Sequence, residues 1–103
     1  MNKFILIVQG YLLYPEKYTK DQLKQNYRAA NSAYADDANS AYAAYAAYLA
    51  AAYAAYLAAA YAAAFDIFTA RAEYWIDSYF NETGENRQDY IDAIHKENNN
   101  ESI

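Results

Sequence analysis

The chain has 103 residues, a net charge of −5 and a pI near 4.6, and 18% of its residues are aromatic, most of them tyrosine. This length suffices for one domain with a thin core. The acidic balance argues against direct nucleic-acid binding, which needs a basic surface. Because cysteine is absent, disulfide and thiol chemistry are excluded, and a cytoplasmic location is the simplest interpretation.

The N-terminal segment, residues 1–18, begins with a β-branched and aromatic-rich run. This composition predicts a short buried β-strand, and Gly10 would permit a turn into a second strand before Pro15. The edges of a strand need partners, so we expect the segment to pair with the same segment of another copy. The alternative is a hydrophobic cap that lies across the following helix. The interface residues predicted here are Phe4, Ile5, Leu6, Ile7 and Val8.

Residues 19–81 are predicted to form a long helical region. Thr19 and Gln22 match a capping box at its start. The segment 36–40 is rich in Asp, Asn and Ser, which compete with a helix for backbone hydrogen bonds. We therefore expect one break or bend near 36–40, which would fold the region into a helical hairpin. A continuous helix is the alternative.

The centre of this region is the octad YAAYLAAA, which occupies residues 45–52 and is repeated unchanged at 53–60. Alanine is the best helix former, and the repeat contains neither Gly nor Pro. An eight-residue period advances by about 80° around a helix, so the bulky residues cannot all face one straight partner. This pattern predicts self-association through the helix. The interface residues predicted here are Tyr42, Tyr45, Leu49, Tyr53, Tyr56, Leu57 and Tyr61.

The uncharged run at residues 41–65 is also long enough to cross a bilayer, which takes roughly 20 apolar residues. Its composition opposes insertion, because alanine contributes little and tyrosine prefers the membrane interface. We therefore expect no membrane-spanning segment.

Beyond the repeat, an apolar stripe over residues 65–79 predicts an amphipathic helix, and Gly84 is a natural left-handed cap for its end. A short helix is predicted at 85–97, and residues 98–103 are predicted to be a tail. The expected fold is thus a mainly α-helical single domain, residues 1–103, with an N-terminal strand or hairpin.

The titratable residues do not form a convincing catalytic or metal-binding set. His95 is the one histidine, so a Ser–His–Asp arrangement or a metal site could use no more than one imidazole per chain, and a histidine-rich metal site is excluded. Asp92 lies one helical turn before it, as in half of a di-iron helix motif, but no facing carboxylates complete the motif. We therefore expect no enzyme activity, no cofactor and no metal.

Arg71, Tyr74 and Trp75 lie within four residues of one another on the predicted amphipathic helix. They could form a small stacking pocket for an aromatic or nucleotide ligand, through cation–π and ring contacts. In the alternative, Trp75 belongs to the core and Arg71 makes a surface ion pair with Glu73 or Asp77.

Apolar surface is large for the length of this chain, which favours a non-enzymatic interaction protein that forms homo-oligomers and binds or blocks a protein partner. Short length, acidity and an abrupt low-complexity repeat are typical of small accessory proteins of bacteriophages, and inhibition of a host protein would be one form of this function. One alternative is a sponge that sequesters a nucleotide-like ligand at a subunit interface. Another is a structural spacer in which the number of repeats sets a length.

Overall fold

The computed structural model describes residues 1–36 and 43–101, and it shows a mainly helical protein. Within these residues five α-helices follow in chain order: α1 (Lys3–Leu13), α2 (Lys20–Asp36), α3 (Ala43–Ala60), α4 (Phe65–Thr83) and α5 (Arg87–Glu101). Short 3-10 turns at Pro15–Lys17 and Ala62–Ala64 precede α2 and α4. The predicted fold class, mainly α-helical, is confirmed.

The N-terminal segment is a helix, so the predicted β-strand is wrong and strand pairing with a second copy loses its basis. Asn2 caps α1, because its Oδ1 accepts hydrogen bonds from the backbone N–H groups of Phe4 and Ile5. Phe4, Ile5, Val8 and Tyr11 are buried, and their spacing is that of a helix with one apolar face. Burial of this face outweighs the β propensity of Ile and Val.

Gly10 lies inside α1, so the predicted turn at this residue is also wrong. A Cβ placed on Gly10 would lie 2.1 Å from the Tyr18 hydroxyl oxygen and 2.8 Å from Cζ of the same ring. Glycine is therefore needed here to let the Tyr18 ring pack against the backbone of α1.

The region 19–81, predicted to be helical with one break or bend, is divided among α2, α3 and α4 in the described residues, so the alternative of a continuous helix is wrong. Its start is confirmed: the Thr19 N–H donates to Gln22 Oε1 at 2.8 Å, and the Gln22 N–H donates to Thr19 Oγ1 at 3.1 Å. This is the reciprocal bonding of a capping box. The break predicted near 36–40 lies outside the described residues, apart from Asp36 at the last position of α2.

A further break, which the sequence does not predict, separates α3 from α4. Tyr61 leaves the helical conformation with φ −121° and ψ 79°, and the 3-10 turn follows directly. Neither Gly nor Pro stands at this break. The reversal allows α3 and α4 to pack along each other, and this burial outweighs the preference of alanine for an uninterrupted helix.

Helix α3 is the centre of the fold and packs against α1, α2 and α4. Alanine contributes most of its buried side chains, which are Ala47, Tyr48, Ala51, Ala52, Ala54, Ala55 and Ala58. Methyl groups occupy little space, so neighbouring helices can lie close to α3 on several sides. The larger tyrosine and leucine side chains of the repeat lie mostly at the margin of this core.

Helix α3, Ala43–Ala60, is also the one described helix that is long and apolar enough to cross a membrane, judged by length and composition. The core helix of a soluble protein passes the same test. The expected absence of a membrane span therefore stays a prediction.

The C-terminal part follows its prediction more closely. Gly84 adopts the left-handed conformation with φ 71°, and its N–H donates to Phe80 O at 2.9 Å. The predicted cap of α4 is thus confirmed. Helix α5 runs to Glu101, so it continues into the Asn-rich segment that was predicted to be a tail.

We predict that Gly10→Ala destabilises the wild-type protein but stabilises a Tyr18→Ala variant. In the wild type the new methyl group meets the Tyr18 ring, and overpacking of this kind costs about 1–3 kcal/mol. Without the ring, alanine is favoured over glycine inside a helix by about 1 kcal/mol. Urea unfolding of the wild type, both single variants and the double variant measures the two changes. An equal effect of Gly10→Ala in both backgrounds would contradict the contact.

Candidate interaction surface

A groove of about 300 Å³ runs between α2 and α3. Its lining consists of four bulky side chains and two small ones, namely Tyr27, Tyr34, Leu49, Tyr53, Ala46 and Ala50. Tyr27 and Tyr34 are seven residues apart on α2, and Leu49 and Tyr53 are four apart on α3, so each pair lies on one helix face. The alanines of the repeat leave the space between these rings open.

The rings of this groove contact one another and remain accessible to solvent. The ring centroid of Tyr27 lies 4.8 Å from that of Tyr53 and 6.1 Å from that of Tyr56. Tyr53 is nevertheless 45% exposed. Tyrosine offers a large apolar area together with a hydroxyl that can stay in water, and it is enriched at protein interfaces. The groove is therefore a candidate interaction surface.

The predicted interface residues separate into three groups by burial. The first group lies in the core of the chain itself and comprises Phe4, Ile5 and Val8. The second group is half-buried and comprises Leu6, Ile7, Tyr45, Leu49, Tyr56 and Leu57. The third group, Tyr53 and Tyr61, is exposed. Tyr42 lies outside the described residues.

The residues of the predicted stacking pocket lie together on the outside of α4. Arg71 and Tyr74 are exposed, and Trp75 is half-buried. The rings of Tyr74 and Trp75 meet edge to face with centroids 5.0 Å apart, whereas the Arg71 guanidinium lies 5.6 Å from the centroid of the Phe68 ring. Arg71 thus contacts a ring in the preceding helical turn. Ligand binding by these residues stays a prediction.

Arg87, which sequence reasoning missed, pairs with two acidic side chains of α4, Glu73 and Asp77. Its guanidinium donates to Glu73 and, at 2.5 Å, to Asp77 Oδ1. Its Nε donates to Gln9 Oε1 at 2.9 Å, and Gln9 is only 3% exposed. The planar Arg87 guanidinium thereby links α5 to both α1 and α4. The structure thus pairs Glu73 and Asp77 with Arg87, while the contact that it gives for Arg71 is with the Phe68 ring.

Two buried tyrosines share one carboxylate next to this cluster. The Tyr79 hydroxyl donates to Glu85 Oε2 at 2.6 Å, and the Tyr90 hydroxyl donates to Glu85 Oε1. The Asn2 backbone N–H donates to the Tyr90 oxygen at 2.7 Å. Burial, reinforced by the bonds to Glu85, raises the pKa of both tyrosines. Both hydroxyls therefore stay protonated as donors, and the arrangement ties the N-terminus to α4 and α5.

The histidine and the aspartate singled out in the sequence contact different neighbours. The Tyr14 hydroxyl lies 2.6 Å from His95 Nδ1, while Asp92 Oδ1 accepts a hydrogen bond from Gln88 Nε2 at 2.8 Å. In the part of the chain that the structure describes, no group of three or more His, Cys, Asp or Glu residues could hold a metal ion.

The fold and the groove define a small helical protein with an alanine-packed central helix and accessible tyrosines beside it. Comparison with protein-family models, curated proteins and solved structures finds no match. The functional assignment rests on the residues of the chain itself.

We predict a loss of stability at alkaline pH that depends on Tyr79. Its pKa is raised in the folded protein from the ordinary value of 10.0, so its contribution is complete below about pH 10. Above that pH the Tyr79 hydroxyl loses its proton in the unfolded chain but keeps it in the folded protein. This difference lowers the free energy of unfolding by about 1 kcal/mol between about pH 10 and pH 11. Urea unfolding across this range should show a smaller loss for Tyr79→Phe than for the wild type. Tyr74→Phe, at an exposed ring, is the control and should behave as the wild type does.

Proposed function

We propose that the protein is a non-enzymatic interaction protein that self-associates through the groove between α2 and α3 and binds a partner protein. The observation that carries this proposal is the accessibility of the groove. Tyr53 remains 45% exposed although the alanine face of the same helix is fully packed inside the chain. Burying such a ring against a second copy would remove apolar area from water without a charge to desolvate.

The charge distribution supports contact between two copies at this place. Each copy carries a net charge of −5, so two copies repel each other at long range. The lining of the groove contains only Tyr, Leu and Ala side chains, so it brings no like charges into direct contact. Tyrosine hydroxyls at the rim can hydrogen-bond across the interface or to water.

A separate exposed face on α4 is the proposed surface for the partner protein. Ile67 and Tyr74 are seven residues apart on this helix and therefore lie on one side of it, and both are exposed. Neither residue lines the groove, so self-association would leave them free. A partner protein bound to this face of α4 could not use the bound part of its own surface for other contacts.

The spacer function is not proposed, because the repeat does not project from the fold. Helix α3 packs against α1, α2 and α4, and both octads contribute buried alanines to the core. A length-setting element would need a repeat whose number can change without loss of the fold.

We predict a concentration-dependent oligomer that Tyr53→Ser weakens about tenfold, which corresponds to about 1.4 kcal/mol and matches the loss of one buried aromatic contact. Sedimentation equilibrium from about 1 to 100 μM measures the dissociation constant. Tyr74→Ser removes an exposed ring outside the groove and should change it less than about twofold. A wild-type monomer throughout this range, or equal effects of the two variants, would rule out the proposed interface.

Deletion of Tyr53–Ala60 tests the spacer alternative. We expect the shortened chain to lose its cooperative thermal transition, because the deletion removes the buried Ala54, Ala55 and Ala58. It also rotates what remains of α3 by about 80° relative to its neighbours. Circular dichroism melting of the wild type and the deletion variant measures this. A variant that melts as the wild type does would support the spacer instead.

A further inference from the structure

A cleft of about 640 Å³ opens where the end of α1, the start of α2 and the turn between α3 and α4 meet. Its aromatic walls are Tyr11, Tyr18 and Phe65, and its charged lining residues are Lys20 and Asp66. Pro15 and alanines from the end of α3 and the following turn complete the lining. The cleft shares no lining residue with the groove between α2 and α3.

Tyr11 carries an unpartnered hydroxyl at this cleft. The residue is 3% exposed, and its hydroxyl makes no hydrogen bond to any residue in the described part of the chain. The described part also holds no sealed side-chain oxygen or nitrogen without a partner, so the Tyr11 hydroxyl oxygen is accessible to solvent. An occupant of the cleft that Tyr11 lines can replace water as the hydrogen-bond partner of this hydroxyl. Burial raises the pKa of Tyr11, so the group is a donor at neutral pH.

The rings around Tyr11 give the cleft walls suited to a flat ligand. The Tyr18 ring meets Tyr11 edge to face, with centroids 6.4 Å apart and an interplanar angle of 88°. The Phe65 ring does the same from another direction, at 6.3 Å and 76°. Rings at such angles offer both faces and edges, and an aromatic ligand can stack on one while it meets the edge of another.

The charges at the cleft favour an acidic group on that ligand. Lys20 is the first residue of α2, so its ammonium lies at the positive end of the helix dipole. Helix α4 also begins at the cleft, which its first residue, Phe65, lines. Asp66 in that first turn is the one acidic lining residue, and its carboxylate can accept a hydrogen bond from a ring N–H or an amino group.

We propose that this cleft binds an aromatic anion, with the flat ring against Tyr18 and Phe65, a ring acceptor on the Tyr11 hydroxyl, and the acidic group at Lys20. The volume lies within the range of about 300–1,000 Å³ that small-ligand sites occupy. Adenosine 5′-monophosphate has this chemistry and serves as the probe. The inference does not depend on self-association, since all the residues belong to one copy.

Heteronuclear NMR titration of the full chain with adenosine 5′-monophosphate, adenosine and inorganic phosphate tests the proposal. The monophosphate is expected to shift the amide signals of Tyr11, Lys20 and Phe65, and to bind at least about fivefold more tightly than adenosine or phosphate alone. Shifts that spread over the surface, or equal affinity for adenosine, would overturn the assignment of an aromatic anion.

Three variants separate a binding role from a structural one. Tyr11→Phe removes only the hydroxyl and is expected to weaken binding about fivefold, with no loss in the thermal midpoint of the unliganded protein. Lys20→Gln should weaken the binding of the monophosphate about fivefold and leave the affinity for adenosine unchanged. Lys24→Gln is the same change one turn further along α2, and it should change the affinity for the monophosphate less than about twofold. Unchanged affinity in Tyr11→Phe and Lys20→Gln, or an equal loss in Lys24→Gln, would refute the site.

Discussion

The close approach of three helices to α3 is the constraint on which the rest of this structure depends. Helices α1, α2 and α4 all pack against it, and its inward side chains are mainly methyl groups. A larger side chain at a position such as Ala51 or Ala55 would push a neighbouring helix away, since protein interiors leave few voids. The Tyr and Leu side chains of the octad lie mostly outside this contact. The repeat thus supplies the core mainly with alanine, together with Tyr48, and places its other tyrosines at the margin or the surface.

Local signals in the sequence predict the ends of helices well. The capping box at Thr19 and Gln22 and the left-handed Gly84 depend on neighbouring residues only, so the sequence contains their whole cause. The N-terminal segment misleads because its Ile and Val residues favour a strand on composition, while the spacing of Phe4, Val8 and Tyr11 already has a helical period. The break at Tyr61 carries no local signal, because it results from packing between α3 and α4.

Candidate functional residues are predictable to a smaller extent, for the same reason. Of the repeat tyrosines predicted as interface residues, Tyr53 is exposed, whereas Tyr45 and Tyr56 are half-buried. Arg87 and Tyr11 acquire their environment from residues far along the chain: Arg87 bonds to Gln9, 78 positions away, and Tyr11 meets the Phe65 ring. A spacing pattern within one helix cannot show such contacts. The sequence does show which residue types are present. Because the chain has few arginines and no excess of acidic residues near Lys20, few residues could bind an anion.

The bonds between the two ends of the chain have a consequence for its biosynthesis. Asn2 and Gln9 are joined to Tyr90 and Arg87, so α1 can complete its contacts only after α5 exists. A ribosome adds about 5–20 residues per second, so the contacts between α1 and α5 can form only several seconds or longer after α1 is synthesised. During that time the nascent chain presents an aliphatic helix to chaperones and to other nascent chains. Helix α2 is synthesised first among the helices that pack against α1, and the alanine-rich α3 follows it.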